Sequence, residues 1–184
     1  MIMTELELIE NAKVFLSRTI ERYGANMKNQ RLPNIRYRGA DDFNLRGVLP
    51  ADNILQLHAQ MDYGLTVDDL IYFFIVKNHL SDEYPRDTIF IFRKRETAGI
   101  ELSILCHELM HFFFKGIDNS TDEGQGFNEA CTDYLAAEIY GEGYTTTYPE
   151  FARRATEGPM IFYRKFLGLD EAAKRQILNI YMGL

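Results

Sequence analysis

Apolar positions along the chain recur with two different periods. Thr4-x-x-Glu7 has the form of a capping box, a hydroxyl answered three residues later by a carboxylate. Behind it Leu8, Ala12, Phe15 and Thr19 recur every three to four residues, the spacing of one buried helix face, and Gly24 supplies a stop. Turn residues dominate Arg31 to Gly47, with a short strand expected over Ile35 to Arg38. Val48 to Leu65 is ambiguous, with a helical pattern within Asn53 to Gln60. Thr66 followed by Asp69 predicts the start of a second helix, which carries Leu70, Ile71, Phe73, Phe74, Ile75 and Val76 and ends near Leu80. A loop follows at Ser81 to Pro85. Thr88-Ile89-Phe90-Ile91-Phe92-Arg93 is β-branched or aromatic almost throughout and reads as the best strand. Two helices are expected next, about Gly99 to Lys115 and Phe127 to Tyr140, around a polar loop from Gly116 to Gly126 that holds three glycines. Pro149, Pro159 and Asp170 each sit where a further helix can begin. Without repeats or a linker, the pattern predicts one α+β domain over residues 1–184, mostly helical.

Composition narrows the class. With 46% apolar residues, 13 Phe and 11 Tyr, the 184 residues can fill a core, which excludes a disordered chain. The net charge of −7 and the lack of any basic block argue against a nucleic-acid or anionic membrane surface. No run approaches the roughly 20 apolar residues of a membrane span. Met1 to Glu7 is acidic and lacks the basic start of a secretory signal, so the expected compartment is the cytoplasm. Cys106 and Cys131 are too few for a disulfide framework and fall in apolar helical segments, as buried free thiols do.

The chemistry concentrates in His107-Glu108-Leu109-Met110-His111. On a helix, positions i and i+4 share a face, so both imidazoles can reach one ion, and zinc suits imidazole nitrogen. Glu108, next to the first histidine, can reach a metal-activated water without ligating the metal, as a general base must. Ile104, Leu105, Leu109 and Phe112 to Phe114 make this helix apolar nearly all round, hence buried, and buried imidazoles need partners. A catalytic zinc needs a third protein ligand. Asn128-Glu129-Ala130-Cys131-Thr132-Asp133 places Glu129 and Asp133 on one face of the next helix. One of these carboxylates can bind metal while the other orients a ligand histidine through its free ring N–H.

These two segments resemble the gluzincin family of zinc metallopeptidases, in which an HExxH helix is paired with a helix bearing Asn-Glu-x-x-x-Asp. The likeness covers about Thr88 to Gly141. It implies a zincin-like domain with one Zn2+ per chain, held by His107, His111 and Glu129. It implies Glu108 as general base, Asp133 as hydrogen-bond partner of a ligand histidine, most simply His107, and a peptide or protein as substrate. It also implies that Thr88 to Arg93 is the edge strand along which an extended substrate aligns. The connection from His111 to Glu129 is slightly short for this family, and no histidine follows His111 to stabilise an oxyanion. Tyr144, Tyr148, Arg153 and Tyr163 are the candidates to replace it.

Other readings compete. A metzincin site fails, since Phe114 stands where that pattern needs Gly and Ile117 where it needs the third ligand. A calcium loop counted from Asp118 puts Ser120, Asp122 and Glu129 at ligand positions but Glu123 where Gly is required. Cys106 and His107 are helix neighbours and do not face each other, which favours a buried packing cysteine over a Cys–His nucleophile pair. His58 and His79 read as surface or satisfied residues. A metal-binding domain that recognises a partner without hydrolysis is the alternative function, and Glu108 is the residue it does not need. The segment Asp170 to Leu184 is a candidate cover for the cleft.

Overall fold

The computed structural model describes residues 3–38, 64–67, 85–92, 99–146 and 148–184. Within them the first helix, α1 (Glu5–Tyr23), starts on the capping box. The Thr4 backbone N–H donates to the Glu7 carboxylate at 2.7 Å, and Glu7 N–H donates back to Thr4 Oγ1 at 3.2 Å. Its buried face is Leu8, Ala12, Phe15, Thr19 and Tyr23, and the helix tightens into a 3-10 turn from Gly24 to Asn26.

Three strands follow: β1 (Asn34–Arg38), β2 (Gly64–Thr66) and β3 (Thr88–Phe92). The sheet order is β1-β3-β2, with β1 parallel and β2 antiparallel to β3. β3 is therefore the central strand, and the expectation that Thr88 to Arg93 forms an edge is corrected. Every residue of β3 is buried, because both of its edges are paired and both faces are covered. Among the described residues β1 and β2 are the two outer strands. Thr66, expected to cap a helix, instead pairs with Ile89 as part of β2. The expected helices over 53–60 and 69–80, and His58 and His79, lie outside the described residues.

The remaining elements are helices: α2 (Glu101–Phe113), α3 (Asp122–Tyr140), α4 (Tyr148–Arg154), α5 (Pro159–Leu167) and α6 (Glu171–Met182). α2 packs on β2, β3 and α1, and α3 packs against α2 and α5. Pro159 occupies the first turn of α5, and Asp170 caps α6 by accepting from Ala173 N–H at 2.8 Å. Together the described residues form an α+β structure, mostly helical, with a small sheet. None of their helices is long and apolar enough to cross a membrane.

α3 starts at Asp122, inside the stretch expected to be a loop. Thr121 caps it, accepting from Gly124 N–H at 3.1 Å, and Asp122 and Glu123 complement the positive end of the helix. Gly124 and Gly126 are needed for close approach. A Cβ at Gly124 would lie 1.8 Å from the Asp118 carbonyl oxygen, and one at Gly126 would lie 2.1 Å from that of Pro159. Gly126 thus lets α5 seat directly on α3.

Candidate metal centre

α2 carries His107 and His111 one turn apart, and α3 turns Glu129 toward both. His107 Nε2 lies 3.1 Å from His111 Nε2 and 3.0 Å from Glu129 Oε2, and His111 Nε2 lies 3.5 Å from the same oxygen. The far side of each ring sets its tautomer. His107 Nδ1 is 2.8 Å from Asp133 Oδ1, a carboxylate that accepts, so Nδ1 carries the proton. His111 Nδ1 is 3.3 Å from Thr132 Oγ1, closer than the Asn128 amide nitrogen at 3.4 Å. The Thr132 hydroxyl donates to the Asn128 carbonyl at 2.8 Å, so it offers the imidazole only lone pairs. Tyr181 O–H is the third group on that oxygen, at 2.9 Å.

An Asn128 amide donating to His111 Nδ1 would put a proton on His111 Nε2. With His111 Nδ1–H instead donating to Thr132 Oγ1, as His107 Nδ1–H donates to Asp133, both Nε2 atoms turn lone pairs toward each other and toward a carboxylate oxygen. Three acceptors so close repel unless something positive lies among them. Zinc fits: bonds of about 2.0–2.1 Å in tetrahedral array separate ligand atoms by about 3.3 Å, within the spread of the three distances here. Without a metal, a proton on His107 Nε2 does the same work. Burial alone would lower the His107 pKa, but Asp133 and Glu129 outweigh it and hold it well above the usual imidazole value. Burial likewise works against the Glu129 charge, yet the pull of His111 and His107 takes that carboxyl far below its ordinary range.

Glu108 is buried beside this cluster, at the wall formed by β2. Thr66 Oγ1 is 2.8 Å from Glu108 Oε2 and 3.1 Å from the Glu108 carbonyl. Gly64 permits the approach, since a Cβ there would lie 2.7 Å from Glu108 Cγ. The cluster opens on a cleft of about 540 Å³, whose lining includes β2, His107, Glu108, His111, Glu129 and Tyr148.

The four oxyanion candidates separate clearly. Tyr144 O–H donates to Asp133 Oδ1 at 2.6 Å and Tyr163 O–H to Asp133 Oδ2 at 2.7 Å, so both phenol protons are committed. Arg153 is exposed on α4 and does not line the cleft. Tyr148 does line it, with its ring 5.2 Å from that of His107 and its hydroxyl on Glu129. Burial, then the Glu129, Glu108 and Asp133 charges, push its pKa well up and keep it a donor. Arg164 on α5 fixes α4 by donating to the carbonyls of Ala152, Arg153 and Ala155.

Elsewhere the sequence candidates resolve plainly. Asp118 binds Ser120 in a local turn, Asp122 opens a helix and Glu129 faces the histidines, so no calcium loop is formed. Cys106 and Cys131 are buried, and burial pushes both thiols up. No residue of 170–184 lines the cleft, so the expected C-terminal cover is corrected. Thr66, Thr132 and Tyr181 had escaped the sequence reading. Thr132 is the one with a signal, one turn beyond Asn128 on the ligand-bearing helix. Compared with protein-family models, curated protein sequences and solved structures, the chain matches none.

Proposed function

We propose that this chain is a zinc metallopeptidase with a zincin-like fold, acting on a peptide or protein substrate. The observation that carries the reading is the convergence of His107, His111 and Glu129 lone pairs, with the Glu108 carboxylate beside them at a cleft. The pairing of an HExxH helix with Asn128-Glu129-x-x-x-Asp133 supports it further, through its likeness to gluzincins.

His107, His111 and Glu129 would hold the ion, with Asp133 and Thr132 fixing the imidazoles from behind. A zinc ion bound there would polarise a carbonyl and bring the pKa of water toward about 7. Glu108 takes the proton of the attacking water and delivers it to the leaving amine. Thr66 holds the Glu108 carboxylate against β2 while it does so. Tyr148, whose phenol is held by Glu129, would be released to donate to the oxygen on which negative charge develops once Glu129 turns to the ion. β2, one of the two outer strands of the described sheet, lines the cleft and suits an extended peptide added edge to edge.

The test is metal content and hydrolysis measured together on the purified chain. About one zinc per chain, the count for a single three-ligand site, and cleavage of a mixed peptide library are expected. Glu108→Gln should retain the zinc and lose cleavage. Zinc binding with no hydrolysis in either form would instead favour the non-catalytic metal-binding alternative.

A further inference from the structure

Asp133 is a hub behind His107, buried at 4% exposure. Its Oδ1 receives His107 Nδ1–H and Tyr144 O–H, and its Oδ2 receives Tyr163 O–H. The two phenols come from separate elements, Tyr144 from the segment after α3 and Tyr163 from α5. Each has one proton, and both protons go to the same carboxylate. A carboxylate held only by an imidazole can rotate about its own axis and carry the ring with it. Donors on both oxygens pin its plane, and with it the direction in which His107 Nε2 points.

Tyr163 acts on the same imidazole by a second route. The Tyr148 ring lies between His107 and Tyr163, with centroids at 5.2 Å and 5.7 Å and rings tilted by only 31° and 30°. His107 is thus fixed at its edge by Asp133 and on its face by this stack.

We propose that Tyr144 and Tyr163 are positioning residues of the metal centre, which act on it by aiming His107 through Asp133 and are not themselves ligands. This rests on the metal-binding part of the reading above, and not on peptide hydrolysis. A merely structural role, in which the hydroxyls only anchor α5 and the segment after α3, makes different predictions.

The experiment uses the full chain and substitutions that remove one hydroxyl and keep the ring. Zinc affinity is measured by competition with a chromophoric chelator, and the visible spectrum of the cobalt(II) form reports ligand geometry. Tyr134→Phe is the control, because it removes a surface hydrogen bond to Glu171 remote from the cluster. Asp133→Asn is expected to weaken zinc by about 10–100-fold, and Tyr144→Phe and Tyr163→Phe by about 3–10-fold each, with shifted cobalt bands. Tyr134→Phe should change neither. Tyr144 is only half-buried, so Tyr144→Phe alone decides the matter if Tyr163→Phe does not fold. Unchanged affinity and spectrum in the phenylalanine variants, beside a weakened Asp133→Asn, would overturn the proposal and leave the metal site standing. A native chain that takes up neither zinc nor cobalt would overturn both.

Discussion

His107 and His111 share a helix face and a target, yet the groups behind them are unlike. His107 leans on a buried carboxylate that two phenols brace, and its side chain is 7% exposed. His111 leans on the neutral hydroxyl of Thr132, which Tyr181 of α6 supports in turn, and its side chain is 20% exposed. Hydrogen bonds to a charged acceptor are roughly twice as strong as neutral ones. In the proposed metal site the difference would divide the labour, with His107 the preset arm and the more exposed His111 the adjustable one.

Substitutions can break that comparison. Asp133→Asn, which keeps the shape and removes the charge, should cost the most, about 10–100-fold in zinc affinity by chelator competition. Thr132→Val should weaken zinc less, by several-fold at most, because a neutral acceptor is lost. It should also destabilise the metal-free chain by about 1–3 kcal/mol in a denaturant titration, since Tyr181 O–H loses its buried partner. Equal losses of affinity in the two variants would erase the distinction between preset and adjustable arms.

Acidity sharpens the same contrast. The His107 pKa is raised in the folded chain, so its proton stabilises the metal-free fold fully below the unfolded value of about 6.5. That stabilisation is lost as pH rises through the raised folded value. Zinc must displace this proton, so zinc affinity should fall as pH is lowered through the folded value, with proton release visible by calorimetry in two buffers. The smallest effect is expected for Tyr181→Phe, about 1 kcal/mol of stability and less than a twofold change in zinc affinity.

Much of this was legible in the residues. The capping box and buried face of α1, the starts of α5 and α6, and the pairing of His107 and His111 with α3 all follow from local spacing. β3 carried a sign that the family likeness obscured. An edge strand with one wet face alternates, whereas Ile89 to Phe92 is apolar without a break, as a central strand is. The glycines near α3 misled for a different reason. They read as turn formers, but Gly124 and Gly126 answer to close approach by Asp118 and Pro159, and no local pattern encodes a distant backbone. The commitments of Tyr144, Tyr163 and Tyr181 were illegible on the same grounds, because each is set by where a later helix docks.

That last dependence also has an order in time. His107, His111 and Glu129 leave the ribosome within a span of 23 residues, whereas Tyr163 follows Glu129 by 34 residues and Tyr181 by 52. At about 5–20 residues per second, the three metal-facing side chains are made roughly 3–10 s before the last of their supports. A nascent chain therefore passes through an interval in which α2 and α3 already set Asp133 and Thr132 behind the two imidazoles, while the phenols of Tyr163 and Tyr181 that hold those two groups are still to come. In the proposed metal site, an ion taken up in that interval would be held less firmly than after α5 and α6 have docked.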